Sequence, residues 1–522
     1  MNMKRGTRRG VAVTAAAGLA SIALTACLPS DDSAEGSGEG AEKLVLAQSS
    51  DFKPLDPHNS AETPAERVFA NVYSRLFSLD EAMDPVPELV TDYEQPDDET
   101  WVFQIRDDVV FSDGEPLDAE DVAFSLNRVS SDETTLEYPF WNRVQEATAT
   151  DDYTVEVTTD GAMPAMLRLL AKSGGDILPA DLIDDIGIDE FLKAPIGSGP
   201  YKIDTWQRDD RVLLSPNEEY YGDAPKWDEV EYRVIPEAST RVSELLTGGV
   251  DIITDVPPVD WDRMDAEDGA DVLFGETTRV MMMVFRNDEP WITSDKRVRE
   301  AVDLAIDNEA ITEGLFDGRA MPIRSRVPVG IFGANPDLQD TFVYDPDRAK
   351  ELIAEVEEEN GEPVTLNIMA PRDRYPLDAD MTEMVVGMLE EAGIQVETEI
   401  LDGVTFSEKW GNKEQKEAAI IGLADGLFDA SYSMTHYLMG NSQNEGRAAY
   451  HSEEVSSLIN DADSNMDQDR REELYQEALA IVAEDRPHVF LLQQMSAYGV
   501  SDRVTFEPRL DDRTYFDDIT LD

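Results

Sequence analysis

The sequence predicts an α/β protein of two or three lobes that contains a parallel sheet. Three observations point there. The chain has 522 residues and keeps 496 after a 26-residue leader, more than one domain usually holds. Its apolar share of 41% is enough to build real cores. A strand, a helix and a second strand follow one another over residues 364–400. At those lengths they form a βαβ unit, and the two strands of such a unit run parallel.

The leader comes first. Residues 4–9, KRGTRR, carry four positive charges and no acid, and an Ala-rich apolar run follows from Val11 to Leu24. That run falls short of the roughly 20 residues a membrane-spanning helix needs. A basic start, a short apolar stretch and small residues before a boundary describe a secretory signal peptide over 1–26. Leu24-Thr25-Ala26-Cys27 resembles the bacterial lipobox. That resemblance implies cleavage before Cys27 and lipid on its sulfur. Cys27 is the only cysteine, so no intrachain disulfide is possible. Residues 27–42 continue as a Ser/Gly/acid-rich tether with too little apolar surface to order itself.

Charge excludes one class of function. The chain has 111 acids against 43 bases, net −68. Loss of the leader's four bases makes this −72. Nucleic-acid binders need a basic footprint, so nucleic acid is not a partner. The acidity reads as a solvated surface suited to a salty medium, where ions screen self-repulsion.

Further along, Trp101, Phe103 and Ile105 alternate as in a half-buried strand. Over 117–129, Val122, Leu126 and Val129 share one helical face, with Asp118 where an N-cap belongs. Residues 281–285, MMMVF, read as a buried strand. A helix starts at Asp345-Pro346, carries Ala349, Leu352, Ile353 and Val356 as its stripe, and stops at Gly361. A strand is predicted at 364–368, a helix at 378–391, and strands at 394–400 and 418–423. A last helix covers 470–483.

In open α/β sheets ligands bind beyond the carboxyl ends of the strands. The loop predicted at 370–376, APRDRYP, is basic with an aromatic residue, and the loop at 424–430, ADGLFDA, is acidic with a glycine. Together they would offer a zwitterion a cationic and an anionic end; apart, they are ordinary solvated loops. Both readings stand at this point.

Several enzymatic motifs fail. Residues 461–472 place acids or Asn at calcium-loop positions, but Met466 stands where the turn needs Gly. Gly197-Ser-Gly-Pro lacks a third Gly, and Pro200 removes a donor a phosphate would use. His58, His436, His451 and His488 have no metal-ligand spacing, and there is no nucleophile elbow. No catalytic residue, metal or cofactor is implied.

The order of the pieces resembles the family 5 extracellular solute-binding proteins of peptide-type ABC importers. The resemblance rests on LDPHNS at 55–60, NVYSRLF at 71–77, the run at 85–129, PIGSGPYKI at 195–203, the runs at 217–252 and 294–311, and the tail DRREELYQEALAIVAEDRPHVFLL. It implies an α/β, two-lobed, periplasmic-binding-protein-like fold (type II, with an extra subdomain) and a hinged cleft. Lobe I would comprise 43–60, 196–278 and 493–522, the inserted subdomain 61–195, and lobe II 279–492. The solute would be a peptide, and the partners the permease subunits of an ABC importer. The protein would be a monomer, lipid-anchored at Cys27 on the outer face of the cytoplasmic membrane.

By the same resemblance Asp425 matches a residue that holds a peptide's α-amino group, and Asp429 matches the Asp of a following D-P. Leu423 stands near the usual Trp, one spacer is lost before Asp425, and Ala430 replaces the Pro. Arg372, Arg374 and Tyr375 fall near an Arg-x-Tyr that meets the ligand carboxylate in dipeptide binders, or serve the fold. A non-peptide solute (a nickel chelate, an opine or a sugar) is the alternative within the fold. A lipid-anchored hydrolase and an adhesin are the alternatives outside it.

Overall fold

Ten strands form one mixed sheet in which two halves, each with three parallel strands, meet at an antiparallel pair. The computed structural model describes residues 42–51, 55–60, 63–439 and 447–521. Cys27, the leader and most of the tether lie outside the described residues.

In one half Lys43–Gln48 runs parallel to Glu229–Val234 and to Ile252–Ile253, and Arg211–Pro216 and Tyr201–Gln207 extend its edge. In the other, Thr365–Arg372 lies between Gln395–Asp402 and Ala418–Leu423, parallel to both. Here the βαβ reading holds. Asp345 caps the helix Pro346–Asn360, Gly361 ends it in the left-handed conformation, and Asp378–Glu391 crosses between the strands. Thr365–Arg372 runs four residues beyond the predicted end at Ile368. Its parallel partner continues to Asp402 and supplies the ladder as far as Arg372. Ala370, Pro371 and Arg372 are therefore strand, and the loop starts at Asp373.

The two halves share two long strands, Ala270–Phe285 and His488–Ser501. Their register is regular from Ala270↔Ser501 to Glu276↔Met495, then shifts, and resumes at Val280↔Gln493. Cores change at the same place. Val272 and Val500 pack with the first half, while Val280 to Phe285 and Val489 to Leu492 pack with the second. A bulge costs ladder bonds and adds bend, so it is best placed where a strand passes from one core to another.

Residues 61–195 carry a separate four-stranded antiparallel sheet, ordered Val90–Asp97, Thr100–Ile105, Thr154–Thr159, Val144–Asp151. Trp101, Phe103, Val155 and Val157 form one face of its core. The helix Ala119–Ser131 covers it with Val122, Leu126 and Val129, its first turn closed by a capping box between Asp118 and Asp121.

The glycines of 197–199 serve close packing. A Cβ on Gly197 would lie 2.1 Å from the Val72 carbonyl oxygen, and the Gly199 N–H donates to that oxygen at 2.9 Å. Residues 461–472 form a helix end, a turn and the start of Gln468–Asp485, which Asp467 caps. Among the described residues no group of three or more His, Cys, Asp or Glu is placed to hold a metal, and no helix is long and apolar enough to cross a membrane.

Candidate functional site

A cavity of about 770 Å³ opens where the carboxyl ends of the parallel strands of both halves converge. Ser49 follows Lys43–Gln48, Asp255 follows Ile252–Ile253, and Ala424 to Gly426 follow Ala418–Leu423. Thr277, Thr278 and Arg279, at the register shift, form the floor between them. Strand ends gather ligands because the chain must leave the sheet there, exposing backbone and loop side chains.

The wall carries five acids (Glu66, Asp255, Asp425, Asp511, Asp512) and four fixed bases (Arg67, Lys172, Arg279, Arg513). The cavity is thus close to neutral in a chain of net charge −68. Most of these charges answer one another or a residue behind the wall. Glu66 meets Arg75 at 3.2 Å and Arg513 at 3.5 Å, Arg67 meets Asp512 at 3.7 Å, and Asp511 meets Arg509 at 2.9 Å. Lys172 pairs with Glu137. Three wall charges remain outside these pairs: Asp255, Asp425 and Arg279.

Asp255 is exposed to the cavity and accepts from the Ser49 and Thr254 hydroxyls at 3.0 and 2.9 Å. Asp425 sits deeper. Its Oδ1 accepts the Leu427 and Phe428 N–H groups at 3.0 Å, its Oδ2 accepts the Ser433 hydroxyl, and its own N–H donates to Thr278 Oγ1 at 3.1 Å. Burial pushes its carboxyl above the ordinary aspartate range, with the Arg326 guanidinium pulling the other way.

Arg279 is half-buried, its guanidinium 5.6 Å from the centre of the Tyr375 ring. Its Nη1 donates to the Gly422 carbonyl at a long 3.4 Å. No carboxylate of the described residues pairs with it. Sequence reasoning missed this residue. The available signal was the polar run Glu276-Thr-Thr-Arg279 just before the apolar run at 280–285.

Of the residues singled out in the sequence, the structure brings Asp425 to the cavity wall. Asp429 is fully buried elsewhere. It caps the helix Ala430–Tyr437 and holds Arg471 through both oxygens, at 2.5 and 2.7 Å. Arg471 keeps that carboxyl below its ordinary value against the cost of burial. Arg372 and Arg374 are exposed and off the wall, and Arg374 donates to the Tyr375 and Ser407 hydroxyls. Tyr375 is buried behind the wall, its hydroxyl on the Gly422 carbonyl at 2.8 Å.

One side of the cavity is aromatic. Phe140, from the region that carries the four-stranded sheet, stacks on Tyr432 at 4.6 Å, and Tyr432 meets His436 at 4.5 Å. Lys172 Nζ lies 3.9 Å from the Phe140 ring centre. This stack ties the four-stranded-sheet region to the half that carries Asp425. The wall presents fixed charges, hydroxyls and rings.

The family model described as bacterial extracellular solute-binding proteins, family 5 (middle), matches residues 84–445. A probable D,D-dipeptide-binding periplasmic protein of Escherichia coli (strain K12) is 25% identical over 486 residues, which cover 90% of this chain and 92% of the relative. Among solved structures, the ABC transporter-associated periplasmic binding protein DppA from Helicobacter pylori, in complex with the peptide STSA, has a TM-score of 0.75 at 23% identity. That match covers 92% of this chain and 98% of the other. NikA from Staphylococcus aureus, in complex with Ni(L-His)2, has a TM-score of 0.73 at 20% identity, covering 92% and 100%. Neighbours holding such different solutes share an architecture rather than a ligand. With the family match spanning well over half of it, the chain belongs to the family 5 bacterial extracellular solute-binding proteins.

Proposed function

We propose that this protein captures peptides in the interlobe cavity and delivers them to the permease subunits of an ABC importer. The observation that carries this reading is the near-neutral cavity in a strongly acidic chain, with two acids and one base left over from internal pairing. A free peptide is a zwitterion. A cavity of the protein's overall charge density would repel its carboxylate, whereas this one offers both signs. Asp425 is the group proposed to meet the α-amino end. A buried carboxyl held above its ordinary range gains when an ammonium is brought beside it.

The register shift at 276–280 supports a hinge, since a few residues at an element break can absorb closure. Lobe I is taken as 43–60, 196–278 and 493–522, the inserted subdomain as 61–195, and lobe II as 279–492. Closing these bodies on a solute is a population shift driven by binding energy, and no bond chemistry is required. Lipid at Cys27 and the tether at 27–42 would hold a monomeric receptor at the outer face of the cytoplasmic membrane.

Calorimetric titration of the body from Leu28 onward with di-, tri- and tetrapeptides tests the reading. Binding of at least one length is expected. Binding of nickel–histidine, an opine or a sugar with no response to peptides would keep the fold and move the function to a non-peptide solute.

A further inference from the structure

We propose that Arg279 is the anion anchor of the cavity: it binds the carboxylate of the captured solute and makes an acidic group a condition of tight binding. The inference deepens the solute-receptor reading and rests on it. Three observations carry it.

The first is charge. Among the wall's four fixed bases, Arg67, Lys172 and Arg513 each have a carboxylate partner, and Arg279 has none among the described residues. A half-buried guanidinium keeps its charge and gains from a bidentate partner. A ligand carboxylate supplies that partner without displacing any ion pair.

The second is that the side chain has a built seat. Tyr375 offers its ring to the guanidinium and fixes itself through the Gly422 carbonyl. Gly422 leaves the room: a Cβ there would come within 2.4 Å of Met281 Sδ, 3.1 Å of Tyr375 Cε1 and 3.3 Å of Arg279 Cδ. A planar cation held on an aromatic face loses less entropy when it binds than a free one. Tyr375 is thus a positioning residue.

The third is location. Val280 pairs with Leu423, so Arg279 stands one residue before that pair and Asp425 two residues after it, at the mouth of the same antiparallel pair. The Thr278 hydroxyl accepts the Asp425 N–H and links the two strands there. A cation and an anion thus line the same cavity near the shift between the halves. A solute carrying both signs would bridge them where closure occurs.

The test uses the exported body, Arg279→Gln, Arg279→Lys and Tyr375→Leu. The probes are di- to tetrapeptides and N-carboxyalkyl amino acids, each as free acid and as neutral methyl ester or amide. The wild type should bind acids roughly 10- to 100-fold tighter than their neutral forms. Arg279→Gln should abolish that ratio while leaving the weak binding of the neutral forms in place. Arg279→Lys should keep part of it, and Tyr375→Leu should reduce it. Equal binding of acids and neutral forms by the wild type, or an undiminished ratio in Arg279→Gln, would overturn the assignment. If N-carboxyalkyl amino acids alone bind, with a ratio lost in Arg279→Gln, the anchor stands and the peptide reading falls. Failure of every acid to bind overturns both.

Discussion

Asp429 and Arg471 form a two-pronged ion pair closed to water, with nitrogen–oxygen distances of 2.5 and 2.7 Å. Arg471 also donates to the Tyr475 hydroxyl and lies 4.8 Å from the Phe332 ring centre. The pair pins the helix Gln468–Asp485 to the start of Ala430–Tyr437, just past the loop that carries Asp425. Breaking one side of such a pair strands a buried charge and costs about 3–5 kcal/mol. Arg471→Leu should therefore lower the denaturant midpoint substantially. Ligand affinity of the folded fraction should change little. A variant as stable as the wild type would show the pair to be dispensable.

Asp425→Asn tests the proposed amino clamp. Asparagine keeps an oxygen for the Leu427 and Phe428 N–H groups but loses the charge. Peptide affinity should fall about tenfold or more, as expected for a lost charge-assisted bond. Unchanged calorimetric affinity would remove Asp425 from the site.

Fully buried His58 and half-buried Glu88 give stability opposite slopes with pH. His58 is fully buried with Nε2 on the Asp176 carbonyl, and burial, aided by Arg128, pulls its pKa down to about 4. A histidine depressed on folding contributes stability above about 6.5 that is lost as pH falls through 4. His58→Gln should flatten that acid limb. Glu88 goes the other way: burial raises it to about 7 against the pull of Arg75. A carboxyl raised on folding contributes stability below its ordinary pKa that is lost as pH rises through 7. Glu88→Gln should therefore melt higher than the wild type above pH 7, and the difference should vanish below pH 4.5. Parallel melting curves across pH 4–8 would contradict either assignment.

Cys27→Ser should release the protein from membranes into the medium. Association that survives alkaline washing in the variant would defeat the lipid anchor.

The βαβ region was legible because each signal there is local. Asp345, Pro346 and Gly361 mark one helix, and alternation at 394–400 marks one strand. The end of Thr365–Arg372 was not legible, because its length is set by a partner strand ending at Asp402. The same division runs through the site. Asp425 could be placed from the strand it follows. Arg279 could not, since Gly422 and Tyr375, which seat it, lie about 100 residues or more away in sequence. The pairing of Arg75 with Asp176 and Glu66, which quiets one side of the cavity, is likewise a property of the folded chain. Asp429 joined Asp425 among the candidate residues because local sequence does not show which of two nearby acids meets a distant arginine.

The central claim is that the cavity holds peptides. The most direct measurement is native mass spectrometry of the body from Leu28 onward, purified from cells grown in rich medium, followed by release of its cargo on denaturation. A ladder of short peptide masses is expected. A single non-peptide mass, such as a metal chelate or a sugar, would contradict it.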